Sequence, residues 1–182
     1  YNNIRQTNLS RLLWKARSVD GLKTGHTEAA GYCLVASAKK SGMRLISVVM
    51  GASSQNARER ETQKLLAYGF RYYETHQLYS TGDELAESQL WAGTADAFKL
   101  GVEDDIHLTI PRGKQESLKA VMNFDEVIKA PIVNGQEYGE LVVTLDGEEL
   151  LRKPLVALQA VAEAGFFKRL WHDILLFFNQ FF

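Results

Sequence analysis

Disulfides, metal clusters and membrane spans are all missing from this sequence. Of its 182 residues one is cysteine, Cys33, so no intramolecular disulfide can form, and no Cys/His pair stands at zinc-ligand spacing. No residue pattern calls for a metal or another cofactor. Proline is scarce, at three. The longest wholly apolar run near the C-terminus, residues 174–178, falls far short of the roughly 20 residues of a spanning helix. The chain opens Tyr1-Asn2-Asn3, with neither the basic nor the apolar region of a signal peptide; the expectation is an N-terminally truncated fragment. Net charge is nearly absent too. Lys+Arg at 21 against Asp+Glu at 22 leave −1, which argues against a nucleic-acid binder that neutralises many phosphates.

The near-neutral total conceals an asymmetry. Residues 1–73 hold 12 Lys+Arg against 4 Asp+Glu, and residues 74–182 hold 9 against 18, which suggests two units. In the first, residues 31–37 and 43–50 read as β-rich arms around a polar turn, Lys39-Lys-Ser-Gly42. Ser53 and Ser54 are placed to cap a helix over residues 56–68, and Gly69 stands where a left-handed C′ residue would end it. From about residue 73 the runs shorten and turn signals recur at Ser80-Thr-Gly-Asp83, Pro111-Arg-Gly113, Asn134-Gly135 and Asp146-Gly147. Asp146-Gly147, flanked by residues 141–145 and 148–152, predicts a hairpin with a type I′ turn. These signals predict a small all-β domain over residues 73–162.

The tail, residues 163–182, changes period. Phe166, Phe167, Leu170, Trp171, Ile174, Leu175, Phe178, Phe181 and Phe182 recur three and four apart, with Lys168, Arg169, His172, Asp173, Asn179 and Gln180 largely opposite. A wide aromatic face behind a basic first turn suits a helix lying in the headgroup region of a membrane. The alternative is that the face packs on the protein's own β domain or on a partner helix.

The string Val19-Asp-Gly-Leu-Lys23-Thr24-Gly25-His26-Thr27 precedes the first β arm. Lys-Thr-Gly on an edge strand has a chemical logic: a cation, a hydroxyl donor for a carboxylate, and a glycine against which a ligand backbone can lie. By itself the tripeptide equally fits a surface turn. Two formal matches to nucleophile motifs, Ser37-Ala-Lys-Lys40 and Ser54-Gln-Asn56, fail on geometry. Ser37 ends a β run, where residues three apart point to opposite faces, and Ser54 reads as a helix cap. His76, His107 and His172 are scattered polar positions. Asp104-Asp105 and Glu148-Glu149 read as solvated turn carboxylates, Cys33 as a buried thiol, and Trp14 and Trp91 as packing residues.

In order, the strings Val19–Thr27, Ala30-Gly-Tyr32, Leu34-Val-Ala-Ser37, Met43-Arg-Leu-Ile-Ser47, Lys64-Leu-Leu66, Tyr68-Gly-Phe-Arg71, Leu108-Thr-Ile-Pro-Arg-Gly113 and Gly165-Phe-Phe167 match low-molecular-mass penicillin-binding proteins. The chain resembles the C-terminal part of a D-alanyl-D-alanine carboxypeptidase of the penicillin-binding protein 5 and 6 type. The resemblance implies an α+β fold class: the end of a penicillin-binding, serine β-lactamase-like transpeptidase domain over residues 1–72, the all-β domain over 73–162, and an amphipathic membrane-surface helix over 163–182. It implies a serine peptidase of peptidoglycan maturation that removes the terminal D-Ala of stem pentapeptides through an acyl-serine, and that β-lactams acylate.

By motif position, Lys23 would set the electrostatics of proton transfer and Thr24 and Arg58 would bind the substrate's terminal carboxylate beside Gly25. The backbone N–H of His26 would donate to the oxyanion. The family's Ser-x-x-Lys and Ser-x-Asn motifs both precede Lys-Thr-Gly and are not found here, so this chain alone is expected to be inactive. Phe166, Phe167, Leu170, Trp171, Ile174 and Phe178 would face the membrane. The implied partners are peptidoglycan stem peptides ending in D-Ala-D-Ala, β-lactams and a membrane surface, with no nucleic acid. The implied location is the periplasm, on the outer face of the inner membrane of a Gram-negative bacterium. The competing possibilities are a non-catalytic, membrane-tethered β module and a β-lactamase relative.

Overall fold

Alternation along Met43–Ala52 sets the first sheet. Met43, Ser47 and Val49 are buried while Ile46, Val48 and Met50 lie open, the period-2 signature of a strand covered on one face. The structure, a computed structural model, describes residues 3 and 7–179, apart from the side chains of Asp173, Phe178 and Asn179. Its chain divides into two units, one running to His76 and taking in Thr109–Gly113, the other comprising Gln77–Leu108 and Lys114 onward.

The first unit begins with a short helix α1 (Leu12–Lys15), followed by β1 (Val19–Thr27), β2 (Gly31–Lys40) and β3 (Met43–Ala52) in a three-stranded antiparallel sheet of order β1-β2-β3. Thus β1 is an edge, and the Lys-Thr-Gly string lies on it. Ser41 and Gly42 both carry positive φ, 50° and 81°, the two-residue hairpin geometry whose twist matches the strands. The helix α2 (Gln55–Tyr72) follows. The Ser54 side chain accepts the Ala57 N–H at 3.1 Å, satisfying one of the orphan donors of the first turn.

Helix α2 runs through Gly69 and ends at Tyr72, so Gly69 is not a C′ residue. The reason is packing. A Cβ on Gly69 would lie 2.4 Å from Leu45 Cδ1; the glycine lets the helix lie close to β3. The core of this unit gathers Leu12, Val19, Leu34, Ala36, Ala38 and Leu66. Fully burying Leu34 or Leu66 stabilises by about 2 kcal/mol each. Trp14 does not pack there: it is 71% exposed, because α1 turns Leu12 inward instead. Cys33 is only half-buried, its Sγ 3.5 Å from the Ala30 carbonyl.

The remaining strands are β4 (Tyr73–Tyr79), β5 (Ala86–Trp91), β6 (Ala97–Gly101), β7 (Ile106–Pro111), β8 (Leu118–Phe124), β9 (Ile128–Lys129), β10 (Glu137–Leu145) and β11 (Glu148–Ala157). Strands β4 and β7 form a two-stranded ribbon; the other six form one sheet of order β8-β10-β11-β6-β5-β9. Asp146 and Gly147 at φ 52° and 89° make the expected β10-β11 turn, whose second arm extends beyond residue 152 to Ala157. Two apolar clusters fill this unit. One centres on Leu90, Phe98, Leu100 and Ile128, the other on Val102, Ile106, Leu141, Val143 and Leu155. Trp91 is buried. Asp105 and Glu149 are not merely solvated, since Asp105 accepts the Thr81 N–H at 2.9 Å and Glu149 pairs with Arg152 at 2.6 Å.

The final helix, α3, spans Phe166–Asn179. Its Phe166, Phe167, Leu170, Trp171, Ile174, Leu175 and Phe177 are exposed, and Lys168, His172 and Leu176, at four-residue spacing, are half-buried. Of the residues read as an apolar face, the side chain of Phe178 and the residues Phe181 and Phe182 lie outside what the structure describes. Among the described residues no helix is long and apolar enough to cross a membrane.

Candidate functional site

The strand β1 pairs only with β2 among the described residues, in a register that sets Thr24 opposite Leu34, Gly25 opposite Cys33 and His26 opposite Tyr32. No strand covers its other edge among the described residues, and an edge strand is the ready template for an extended peptide. Lys23 is exposed and its Nζ donates to the Thr24 carbonyl at 2.6 Å. Gly25 has an ordinary extended backbone, and a Cβ there would meet only Cys33 Cβ, at 3.8 Å. The chain's own packing therefore does not demand a glycine at this exposed position. A ligand lying along the strand would.

Arg58, in the first turn of α2, reaches this edge from beneath. Its Nη1 donates to the Gly25 carbonyl at 3.1 Å and to the Cys33 carbonyl at 3.3 Å. The residue is 4% exposed, and its Nε finds no hydrogen-bond partner. Among the described residues no carboxylate pairs with it. A desolvated guanidinium that meets no carboxylate and leans on carbonyl dipoles is an incomplete arrangement, since buried charges are ordinarily paired. Its electrostatics suit an incoming anion at the β1 edge.

The structure thus brings Lys23, Thr24, Gly25, His26 and Arg58 to one end of one ladder. It adds a residue that had no assigned role: the Tyr32 ring stands 4.0 Å from the His26 ring, and the Arg58 guanidinium carbon lies 5.7 Å from the Tyr32 centroid. Tyr32 sits within the Ala30-Gly-Tyr32 string, but only the cross-strand register reveals what it touches. The surroundings of the two serine look-alikes are structural. Ser37 is 3% exposed in mid-β2 and accepts from Arg44, while Ser54 is committed to the α2 cap. The hydrogen bond to Ser37 and the Arg44 guanidinium hold the Asp20 carboxyl below its ordinary pKa. Among the described residues no cluster of His, Cys, Asp and Glu would hold a metal.

Comparison with known proteins gives two matches to families. Residues 1–54 match the family described as D-alanyl-D-alanine carboxypeptidase, and residues 73–163 match the family described as penicillin-binding protein 5, C-terminal domain. D-alanyl-D-alanine carboxypeptidase DacA of Escherichia coli (strain K12) is 45% identical over 185 residues, covering 100% of this chain and 46% of its own. DacC of the same organism is 41% identical over 184 residues, again covering 100% of this chain and 46% of its own. In shape the chain is similar to penicillin-binding protein 5 from Haemophilus influenzae, with a TM-score of 0.82 at 43% identity, covering 90% of this chain and 48% of that one. The chain spans about half the length of the curated relatives it matches.

Proposed function

The chain belongs to the D-alanyl-D-alanine carboxypeptidases of the penicillin-binding protein 5 type, and from that membership we propose that it supplies the carboxylate- and oxyanion-binding half of a serine peptidase site. The substrate is a peptidoglycan stem peptide ending in D-Ala-D-Ala, laid along the free edge of β1. The observation that carries this assignment is Arg58, a buried cation without a carboxylate partner among the described residues, reaching the Gly25 carbonyl at 3.1 Å.

In this arrangement Thr24 Oγ1 donates a hydrogen bond to the terminal carboxylate and Arg58 supplies the countercharge. The His26 N–H faces the developing oxyanion. The Lys23 ammonium favours proton transfer from the attacking serine. That serine comes from the Ser-x-x-Lys motif that the family carries upstream of Lys-Thr-Gly. Its oxygen forms an ester with the penultimate D-Ala, the amide C–N bond breaks, the proton passes to the departing D-Ala amine, and water hydrolyses the ester. A β-lactam, whose carboxylate and strained amide imitate that terminus, acylates the same serine. With Ser37 buried and Ser54 engaged as a cap, these 182 residues alone form no acyl-enzyme.

The exposed apolar residues of α3 support contact with a membrane surface, and a location in the periplasm follows from a peptidoglycan substrate. Helix α3 meets its own unit through polar groups. Lys168 Nζ lies 2.7 Å from Asp96, and His172 Nδ1 accepts the Ala92 N–H at 2.9 Å. The apolar side is left for a lipid interface.

The test replaces the matching part of a full-length carboxypeptidase relative with this chain and follows D-Ala release from a pentapeptide. Thr24→Ala and Arg58→Met should each lower kcat/KM by about tenfold or more with the melting temperature held. Turnover unchanged in both variants would reduce the chain to a non-catalytic module.

A further inference from the structure

We propose that Tyr32 is a positioning residue that holds the Arg58 guanidinium at the β1 edge, and thereby sets the preference for a free terminal carboxylate over a neutral chain end. This rests on the carboxypeptidase assignment above and goes beyond it to a residue with no role in that chemistry.

Arg58 has few restraints. Its Nη1 is shared between the Gly25 and Cys33 carbonyls, at 3.1 and 3.3 Å, and its Nε is unpartnered. The aromatic ring that meets it is Tyr32, 5.7 Å from guanidinium carbon to centroid, within the range where a ring face attracts a cation. Attraction of this kind grows when the pair is desolvated, and Arg58 is buried. A neutral ring stabilises the cation without neutralising it. A carboxylate in the same place would satisfy the guanidinium and abolish its use for an incoming anion.

The ring is itself restrained. Tyr32 stands directly opposite His26 in the β1-β2 ladder, with the two rings 4.0 Å apart and inclined by 33°. It also lies beside a register shift between β2 and β3, where one strand gains a residue and redirects its side chains. One ring therefore meets both the strand segment that carries the His26 N–H and the cation beneath that segment.

The experiment uses the same full-length replacement. Wild-type chain, Tyr32→Phe and Tyr32→Leu are compared on a peptide ending in free D-Ala-D-Ala and on its C-terminal methyl ester, with Tyr32→Met carried in parallel so that the comparison does not depend on one variant folding. Tyr32→Phe keeps the ring and should match wild type. Tyr32→Leu and Tyr32→Met should raise KM for the free acid by about tenfold, as expected for loss of a desolvated cation–π contact. In those two variants kcat should change little and the ester should be almost unaffected, so acid-over-ester preference collapses. A merely structural role would weaken both substrates alike. Acid-over-ester preference retained in the folded Leu and Met variants would overturn the proposal while leaving the carboxypeptidase assignment standing. No D-Ala release from the wild-type replacement would overturn both.

Discussion

Gly139, on β10 opposite Phe124, shows how a single missing Cβ decides a strand pairing. A Cβ there would sit 2.4 Å from the Asn123 carbonyl oxygen and 2.6 Å from Phe124 Cβ. The first obstacle is backbone, which cannot rotate away. Gly139→Ala should therefore destabilise the second unit by about 1–3 kcal/mol and lower its melting temperature by several degrees, read by calorimetry; an unchanged transition would show that β8 gives way at no cost. Nothing in the local sequence marks Gly139, since its demand comes from β8 fifteen or more positions earlier. The site residues divide the same way. Lys23, Thr24 and Gly25 are legible as a string, whereas the burial of Arg58 and the approach of Tyr32 to it arise only once α2 packs against β2 and β3.

Among the elements, α3 carries the sharpest separation between pattern and placement. Its existence follows from apolar residues recurring at three and four positions. Its docking does not, because the partners of Lys168 and His172 are Asp96 and Ala92, more than seventy residues away, with the Trp91 ring edge-on to His172 at 5.6 Å. The Lys168 ammonium in turn holds the Asp96 carboxyl below its ordinary pKa. Because these contacts are polar, the aromatic face stays outside, Phe167 being 85% exposed. The chain should co-sediment with vesicles of mixed zwitterionic and anionic phospholipid, and Phe167→Ser with Trp171→Ser should reduce the bound fraction several-fold, since each buried apolar side chain contributes about 1.5–3 kcal/mol. Equal binding by the double variant would point instead to purely electrostatic adsorption through basic residues.

For the whole molecule, the division into two units has a thermodynamic consequence. The first unit leaves one face of its three-stranded sheet bare, with Ile46, Val48 and Met50 56–73% exposed, and apolar surface left in water contributes nothing to stability. The second unit encloses two apolar clusters. Thermal unfolding should therefore show two transitions, the first unit melting earlier. Trp91 is buried in the second unit, so its fluorescence change should follow the later transition alone, while the earlier one is read by calorimetry. A single cooperative transition by every probe would contradict this. The sequence by itself determined the turns, the α2 cap, the arms of the β2-β3 and β10-β11 hairpins and the family, because two-residue turns, capping hydroxyls and short strings act among neighbours in the chain. Only the tertiary structure decided that α2 continues through Gly69, that Trp14 faces outward, that Arg58 is buried with no carboxylate partner among the described residues, and that Tyr32 and His172 become contact residues. Each of those depends on steric fit and desolvation between segments remote in sequence, and such contacts exist only after the chain has closed on itself.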